Sequence, residues 1–153
     1  MPYGEPYLKW NIMLEISMPK LQYVSYGNQK LAYRETGSGP VLFLLHGMNG
    51  SSKSWANVFW SLGSSFRVIA WDAPSFGGSD IVGDNIRDYK DAAKAFMNCL
   101  SIEEAILVGH SMGGVIATQL AVDEDISVVG LVLSSSHLGF ARPEGEPLMV
   151  RYS

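Results

Sequence analysis

The residues with the clearest chemical potential are Gly109-His110-Ser111-Met112-Gly113-Gly114, which lie between two apolar runs. This arrangement is typical of a nucleophile elbow, in which a strand turns very sharply into a helix and a serine occupies the apex. Gly109 and Gly113 stand two positions on either side of Ser111, and we expect glycine there because a Cβ would meet the neighbouring strand or helix. The helix that follows offers unpaired N–H groups and its positive dipole end to a developing anion. The pattern therefore predicts that Ser111 is a nucleophile.

The elements that must position this serine can be predicted from the pattern of apolar residues. Gly27-Asn28 separates two short runs, 21–26 and 30–35, and so predicts an antiparallel hairpin at a sheet edge. Buried strands are predicted over 41–45, 67–71, 105–108 and 128–133, and helices over 55–62 (capped by Ser54), 86–100 and 112–122. Strands that alternate with helices imply an α/β fold with a mostly parallel sheet and helices on both faces.

Bulk composition limits the partners and the compartment. The 153 residues suit one domain, and 47% hydrophobic with 17% charged residues is the composition of a globular protein. A net charge of -4 argues against a nucleic-acid or anionic-membrane partner. No apolar run approaches membrane-spanning length. The single cysteine, Cys99, fits a reducing cytoplasm and is predicted to be a small buried residue of its helix.

Three parts of the chain are distinguished. Residues 1–20 are predicted to be an irregular extension because they contain three prolines, and residues 21–140 carry the α/β pattern. Residues 141–153, rich in charges, Pro and Gly, are interpreted as the start of a connector to a missing part. The sheet is therefore expected to be truncated after its sixth strand. The oligomeric state is left open.

Three stretches in order make a family resemblance visible. His46-Gly47-Met48 follows one buried strand, Asp72-Ala73-Pro74-Ser75-Phe76-Gly77-Gly78-Ser79-Asp80 follows the next, and the Ser111 motif follows a third. Together they resemble the N-terminal part of the α/β-hydrolase fold family, within which the chain is most similar to small-molecule esterases and enol-lactonases. Ser75 stands where the family pattern has glycine. Asp72 and Asp80 are expected to hold their turn through hydrogen bonds to the backbone.

The resemblance implies roles for particular residues. The backbone N–H groups of Met48 and Met112 would form an oxyanion hole for a tetrahedral intermediate made by Ser111. His46 and Gly47 would shape the substrate side of that site, with His46 not acting as a base. For His137, just past the last strand, a substrate contact and a solvated loop position both stay open, whereas His110 is expected to be a packed structural residue. No metal or cofactor is expected.

The predicted reaction is hydrolysis of an ester, lactone or related carbonyl substrate through an acyl-enzyme. In this family the acid and then the histidine of the triad follow the serine in chain order, and neither has a convincing candidate after Leu133. The chain alone is therefore expected to have negligible activity, because an unassisted serine is a weak nucleophile. Three alternatives use the same fold: a carbon–carbon bond hydrolase of ring-cleavage products, a cofactor-free peroxidase and a non-catalytic binding module.

Overall fold

The computed structural model describes residues 18–136, which contain one six-stranded sheet of order β1-β2-β4-β3-β5-β6. The strands are β1 (Gln22–Tyr26), β2 (Gln29–Thr36), β3 (Val41–Leu45), β4 (Arg67–Trp71), β5 (Glu104–His110) and β6 (Ser127–Ser134). A 3-10 helix (Ser52–Trp55) leads into α1 (Ala56–Leu62), and α2 (Ile86–Cys99) and α3 (Met112–Ala121) follow later. The predictions for residues 1–17 and 137–153, including His137, fall outside the described residues.

Strand pairing confirms the predicted fold class. The β1–β2 hairpin is antiparallel, β2 pairs antiparallel with β4, and the β4–β3, β3–β5 and β5–β6 pairs are all parallel. A parallel pair needs a crossover connection, and α2 and α3 supply the connections into β5 and β6. The two-residue turn between β1 and β2 contains Gly27 at φ 59°, in the left-handed region that glycine adopts without strain.

The helices lie on both faces of the sheet, as the sequence predicts. On one face, α2 and α3 cover a large apolar cluster in which Phe43 of β3 and Trp71 of β4 contact Phe96 of α2. The opposite face carries a smaller cluster, where Phe59 of α1 packs near Leu44 and Ala70. The helical stripe predicted in α2 is buried at Tyr89, Ala92, Ala93, Phe96 and Met97.

Two local predictions are wrong. Ser54 does not cap α1: Ser51 caps the 3-10 helix by accepting a hydrogen bond from the Lys53 N–H, and the Ser54 hydroxyl accepts one from the Ser51 N–H. Cys99, the last residue of α2, is exposed instead of buried, with its sulfur 3.5 Å from the carbonyl oxygen of Ser25. Helical spacing alone does not say how far the buried stripe extends at the last turn.

Ion pairs join α2 to the loop that follows α3. Lys94 Nζ lies 2.8 Å from the Asp123 carboxylate and 2.6 Å from that of Asp125, and Lys90 also contacts Asp123. The hydrogen bond from Lys94 is the main reason that the pKa of Asp123 falls to about 2.

No helix among residues 18–136 has the length and apolar character needed to cross a membrane.

Candidate active site

The elbow around Ser111 has the backbone expected of a very sharp strand-to-helix turn. Ser111 follows β5 directly and has φ 50° and ψ -115°, a conformation that residues with a Cβ rarely adopt. Its N–H donates to the carbonyl of Ser134 at the end of β6, 3.0 Å away, and its carbonyl accepts from the Gly114 N–H. The neighbouring strand and the first turn of α3 therefore hold the strained residue from both sides.

The glycines of the elbow are required by close backbone contacts, as the sequence predicts. A Cβ on Gly109 would collide with the backbone of Gly113 and Gly114, at the start of α3. A Cβ on Gly113 would collide with the carbonyl of Leu45, the last residue of β3. These two positions let α3 begin directly against the sheet, so the Ser111 side chain stands at its carboxyl edge.

The loop after β3 lies beside the elbow. Leu45 pairs in parallel with Gly109, so residues 46–48 and 110–112 leave the same edge of the sheet side by side. A Cβ built on Gly47 would lie 3.1 Å from the Cβ of Ser111 and 2.7 Å from Nδ1 of His110. Gly47 belongs to residues 46–50, which we call the β3 loop, and this loop therefore passes beside the predicted nucleophile at Gly47.

Met48 lies in a tight turn of the β3 loop. The Gly50 N–H donates to the Gly47 carbonyl at 3.0 Å, and Asn49 has φ 63°. Asparagine tolerates this left-handed conformation better than most residues with a side chain. Within residues 18–136, neither the Met48 N–H nor the Met112 N–H donates a hydrogen bond to another protein group. Met112 opens α3, where the first N–H groups of a helix have no partner within it. Its side chain packs into the main cluster.

His46 is buried and structural. The ring is 1% exposed, its Nε2 accepts a hydrogen bond from the Ala73 N–H at 2.9 Å, and its Nδ1 lies 2.7 Å from the Gly47 carbonyl. Because Nε2 must accept, the proton of the neutral ring sits on Nδ1 and is donated to Gly47. Burial lowers the pKa of His46, opposed by the Gly47 hydrogen bond and the nearby Asp72 carboxylate. Both ring nitrogens of His46 are therefore engaged with backbone groups, and its role at the site stays a prediction.

The turn after β4 is organised by Asp72, which is 3% exposed. Its Oδ1 accepts from the Ser52 N–H at 2.6 Å and its Oδ2 accepts from the Gly78 N–H at 2.8 Å. Asp80 Oδ2 accepts from the Lys30 N–H of β2 at 2.8 Å. Both aspartates thus bind backbone N–H groups as predicted, but Asp72 also reaches outside its turn. Ser75 takes φ 70° in place of the family's glycine.

An open pocket of about 460 Å³ lies between the β3 loop and the 3-10 helix. Met48, Asn49, Trp55 and His110 line it, together with His46, Gly47, Gly50, Ser54, Val108 and Ser134. The prediction that His110 is packed is wrong: its side chain is exposed and faces this pocket. Successive residues of β5 alternate between sheet faces, so His110 shares the α1 face with Val108 instead of the covered α3 face.

The Ser111 side chain makes no cap hydrogen bond to α3. The structure brings Gly47 and Ser111 together at one edge of the sheet, with Met48 and Met112 directly after them in the chain. His46, Gly47 and Met48 line the pocket, whereas Ser111 and Met112 are not among its lining residues. Sequence reasoning missed the part that Asn49 and Trp55 play in the pocket. The Asn49-Gly50 dipeptide was an available signal for the turn, since asparagine and glycine both tolerate positive φ.

Comparison with known proteins identifies the family. A family model for the alpha/beta hydrolase fold matches residues 40–152. An uncharacterized protein of Mycobacterium tuberculosis is 33% identical over 124 residues, which cover 80% of this chain and 36% of that protein. The 2-hydroxy-6-oxo-6-phenylhexa-2,4-dienoate hydrolase of Comamonas testosteroni is 38% identical over 98 residues, covering 60% of this chain and 34% of the relative.

Solved structures agree with that assignment. The structure of Est816, described as an N-acyl homoserine lactone degrading enzyme, superposes with a TM-score of 0.71 at 29% identity, covering 75% of this chain and 45% of that one. The chain spans about a third of the length of the curated relatives that it matches, at 36% and 34%. The matched family model, the relatives and the shared sheet together show that this chain belongs to the alpha/beta hydrolase fold family.

Proposed function

We propose that the protein carrying this chain is a hydrolase in which Ser111 attacks the carbonyl carbon of an ester or lactone. The observation that carries this proposal is the strained backbone of Ser111, at φ 50° and ψ -115°, in contact with the β3 loop. Proteins keep such strain where geometry serves function. Here the turn holds the hydroxyl at the carboxyl edge of a parallel sheet, where ligands of open α/β sheets bind.

The proposed chemistry is acyl transfer in two steps. The Ser111 oxygen forms a bond to the acyl carbon while a base takes its proton, and the carbonyl electrons move onto an oxyanion. That oxyanion would accept hydrogen bonds from the N–H groups of Met48 and Met112, each such donor being worth about 3–4 kcal/mol of barrier. Collapse expels the alcohol, which regains the proton, and water then releases the acid by the reverse sequence. We place the base and its carboxylate partner C-terminal to the described residues, in the family's chain order.

A direct test uses the protein expressed from the complete reading frame. Wild-type protein is expected to hydrolyse short p-nitrophenyl esters and to be labelled by a fluorophosphonate, whereas Ser111→Ala should lose both. Removing a serine nucleophile costs several orders of magnitude in kcat. The matched control is Ser127→Ala, which changes an exposed serine at the start of β6, at the other edge of the sheet from the elbow, and should keep activity. Equal hydrolysis by Ser111→Ala would refute the proposal.

Carbon–carbon bond hydrolysis is a second candidate, because a hydrolase of 2-hydroxy-6-oxo-6-phenylhexa-2,4-dienoate is 38% identical over the matched region. The same serine and oxyanion site would serve it. Assaying that dienoate beside the p-nitrophenyl esters separates the two, since the better substrate has the larger kcat/KM. A protein that binds carbonyl ligands but turns over neither would instead be a binding module.

The single cysteine and the net charge of -4 favour a cytoplasmic protein without a nucleic-acid partner.

A further inference from the structure

The β3 loop and the two residues after it are hydrogen-bonded at both ends to Asp72 and Ala73. At its start, the His46 ring accepts a hydrogen bond from the Ala73 N–H at 2.9 Å. Just beyond its end, the Ser52 N–H donates to Asp72 Oδ1 at 2.6 Å. Asp72 and Ala73 directly follow β4, the parallel neighbour of β3. Met48 therefore lies in a segment, residues 46–52, whose two ends are both hydrogen-bonded to Asp72-Ala73.

We infer that Asp72 is a positioning residue for the proposed oxyanion site. Its carboxylate binds the Ser52 N–H, two residues beyond the β3 loop, and thereby sets the direction of the Met48 N–H. This inference rests on the proposed function and goes beyond it, since Asp72 touches neither Ser111 nor the pocket. The Asp72 carboxylate oxygens lie 2.6 Å from the Ser52 nitrogen and 2.8 Å from the Gly78 nitrogen. These are distances of charge-assisted hydrogen bonds, which are shorter and stronger than hydrogen bonds between neutral groups.

The surroundings of Asp72 are built to hold this carboxylate in one place. Its Oδ2 is occupied by the Gly78 N–H at 2.8 Å, and a Cβ on Gly77 would collide with the carboxylate. Gly77 has φ 53°, which permits this close approach. The Ser79 hydroxyl donates to the Asp72 carbonyl at 2.6 Å and accepts from the Ala32 N–H of β2 at 2.8 Å. One side of the anchor is thus tied to the sheet.

The substitution Asp72→Asn tests the inference, because an amide of the same shape can accept from only one of the two N–H groups and presents its own N–H₂ to the other. The matched control is Asp80→Asn, which removes the same charge from the other end of the same turn. Asp80 is exposed and binds the Lys30 N–H, not the β3 loop. Should Asp72→Asn not fold, Asp72→Ser makes the same test with a side chain too short to reach both donors.

Two measurements on the complete protein are compared between these variants. In Asp72→Asn, kcat for p-nitrophenyl acetate should fall about tenfold to a hundredfold with KM changed by less than about threefold, as expected for a misdirected transition-state donor. Deuterium exchange of residues 46–52 should also become faster. Asp80→Asn should keep kcat within about twofold of wild type and leave exchange of that segment unchanged.

Three outcomes would overturn the inference: wild-type kcat in Asp72→Asn, an equal loss in Asp80→Asn, or a loss confined to KM. Unchanged exchange of residues 46–52 would also contradict it. Its failure is distinguishable from failure of the proposed function, because Ser111→Ala tests the latter alone. If wild-type protein shows no Ser111-dependent turnover, the catalytic meaning of the anchor is refuted, whereas faster exchange of the loop in Asp72→Asn would still establish the anchor itself.

Discussion

Replacing Ser111 by glycine should stabilise the protein while it destroys the proposed nucleophile. Ser111 has φ 50° and ψ -115°, and a residue with a Cβ in such a sparsely populated region costs about 1–3 kcal/mol. Glycine adopts this backbone without a steric penalty. The Ser111 side chain makes no cap hydrogen bond to α3, so removing it does not cost the helix a stabilising cap.

The expected gain follows from comparing glycine with alanine at this position. Ser111→Ala removes the hydroxyl but keeps the Cβ and therefore the strain. Glycine removes the strain but loses about 0.5–1 kcal/mol more backbone entropy on folding. Taken at the middle of both ranges, the difference leaves Ser111→Gly more stable than Ser111→Ala by about 1 kcal/mol. With a urea m value of about 2 kcal/mol per molar for a small domain, the midpoint should rise by about 0.5 M.

Urea denaturation of both variants, followed by tryptophan fluorescence and circular dichroism, measures the difference. Ala121→Gly, in the last turn of α3, is the control for glycine in ordinary helical backbone and should be destabilising by about 1 kcal/mol. A midpoint for Ser111→Gly at or below that of Ser111→Ala would refute the reasoning. It would mean that the elbow backbone is not strained, and with it the proposed function would lose its carrying observation.

Three further predictions concern the surrounding structure. Gly113→Ala should cost about 2–4 kcal/mol because its Cβ would meet the Leu45 carbonyl, whereas Gly27→Ala, with no atom within 4 Å of a Cβ and φ 59°, should cost only about 1–2 kcal/mol; equal urea midpoints would contradict this. Burial lowers the pKa of His46, so its contribution to stability is complete above the unfolded value of about 6.5 and is lost as pH falls from there towards the lower folded value. Urea midpoints at pH 7.5 and 5.5 should therefore differ less in His46→Gln than in wild type, and an equal pH dependence would argue against a buried neutral ring. Val132, 52% exposed on β6 at the edge of the described sheet, should promote association, so Val132→Lys should lower light scattering of the 153-residue chain, and unchanged scattering would show that this edge does not mediate it.

Much of the fold was predictable because local rules determine its elements. Continuous apolar runs marked β3 and β4 at the bounds that the structure has, Val41–Leu45 and Arg67–Trp71. Helical spacing located α2, and the glycines on either side of Ser111 indicated the close contacts of the elbow. Side-chain exposure near element ends was less predictable: Cys99 and His110 are both exposed, since spacing along one element does not reveal what covers each of its faces.

The candidate site was predicted as a set of residues but not as an arrangement. Chain order and strand ends placed His46, Met48 and Ser111 at the carboxyl edge of a parallel sheet. The turn at Asn49, the tautomer of His46 and the reach of Asp72 to Ser52 were not predicted. Each depends on a hydrogen bond or a backbone angle that joins segments far apart in the chain, such as the 20 residues between Ser52 and Asp72.

The sequence by itself determined the strained serine turn, the alternation of strands and helices and the family to which they point, because these follow from residue types and spacings within one segment. Only the tertiary structure decided which segments meet. The strand order places β3 between β4 and β5, so the β3 loop passes beside Ser111 on one side and Asp72 reaches Ser52, just beyond that loop, on the other. Strand order is set by packing between distant segments, and no local pattern encodes it.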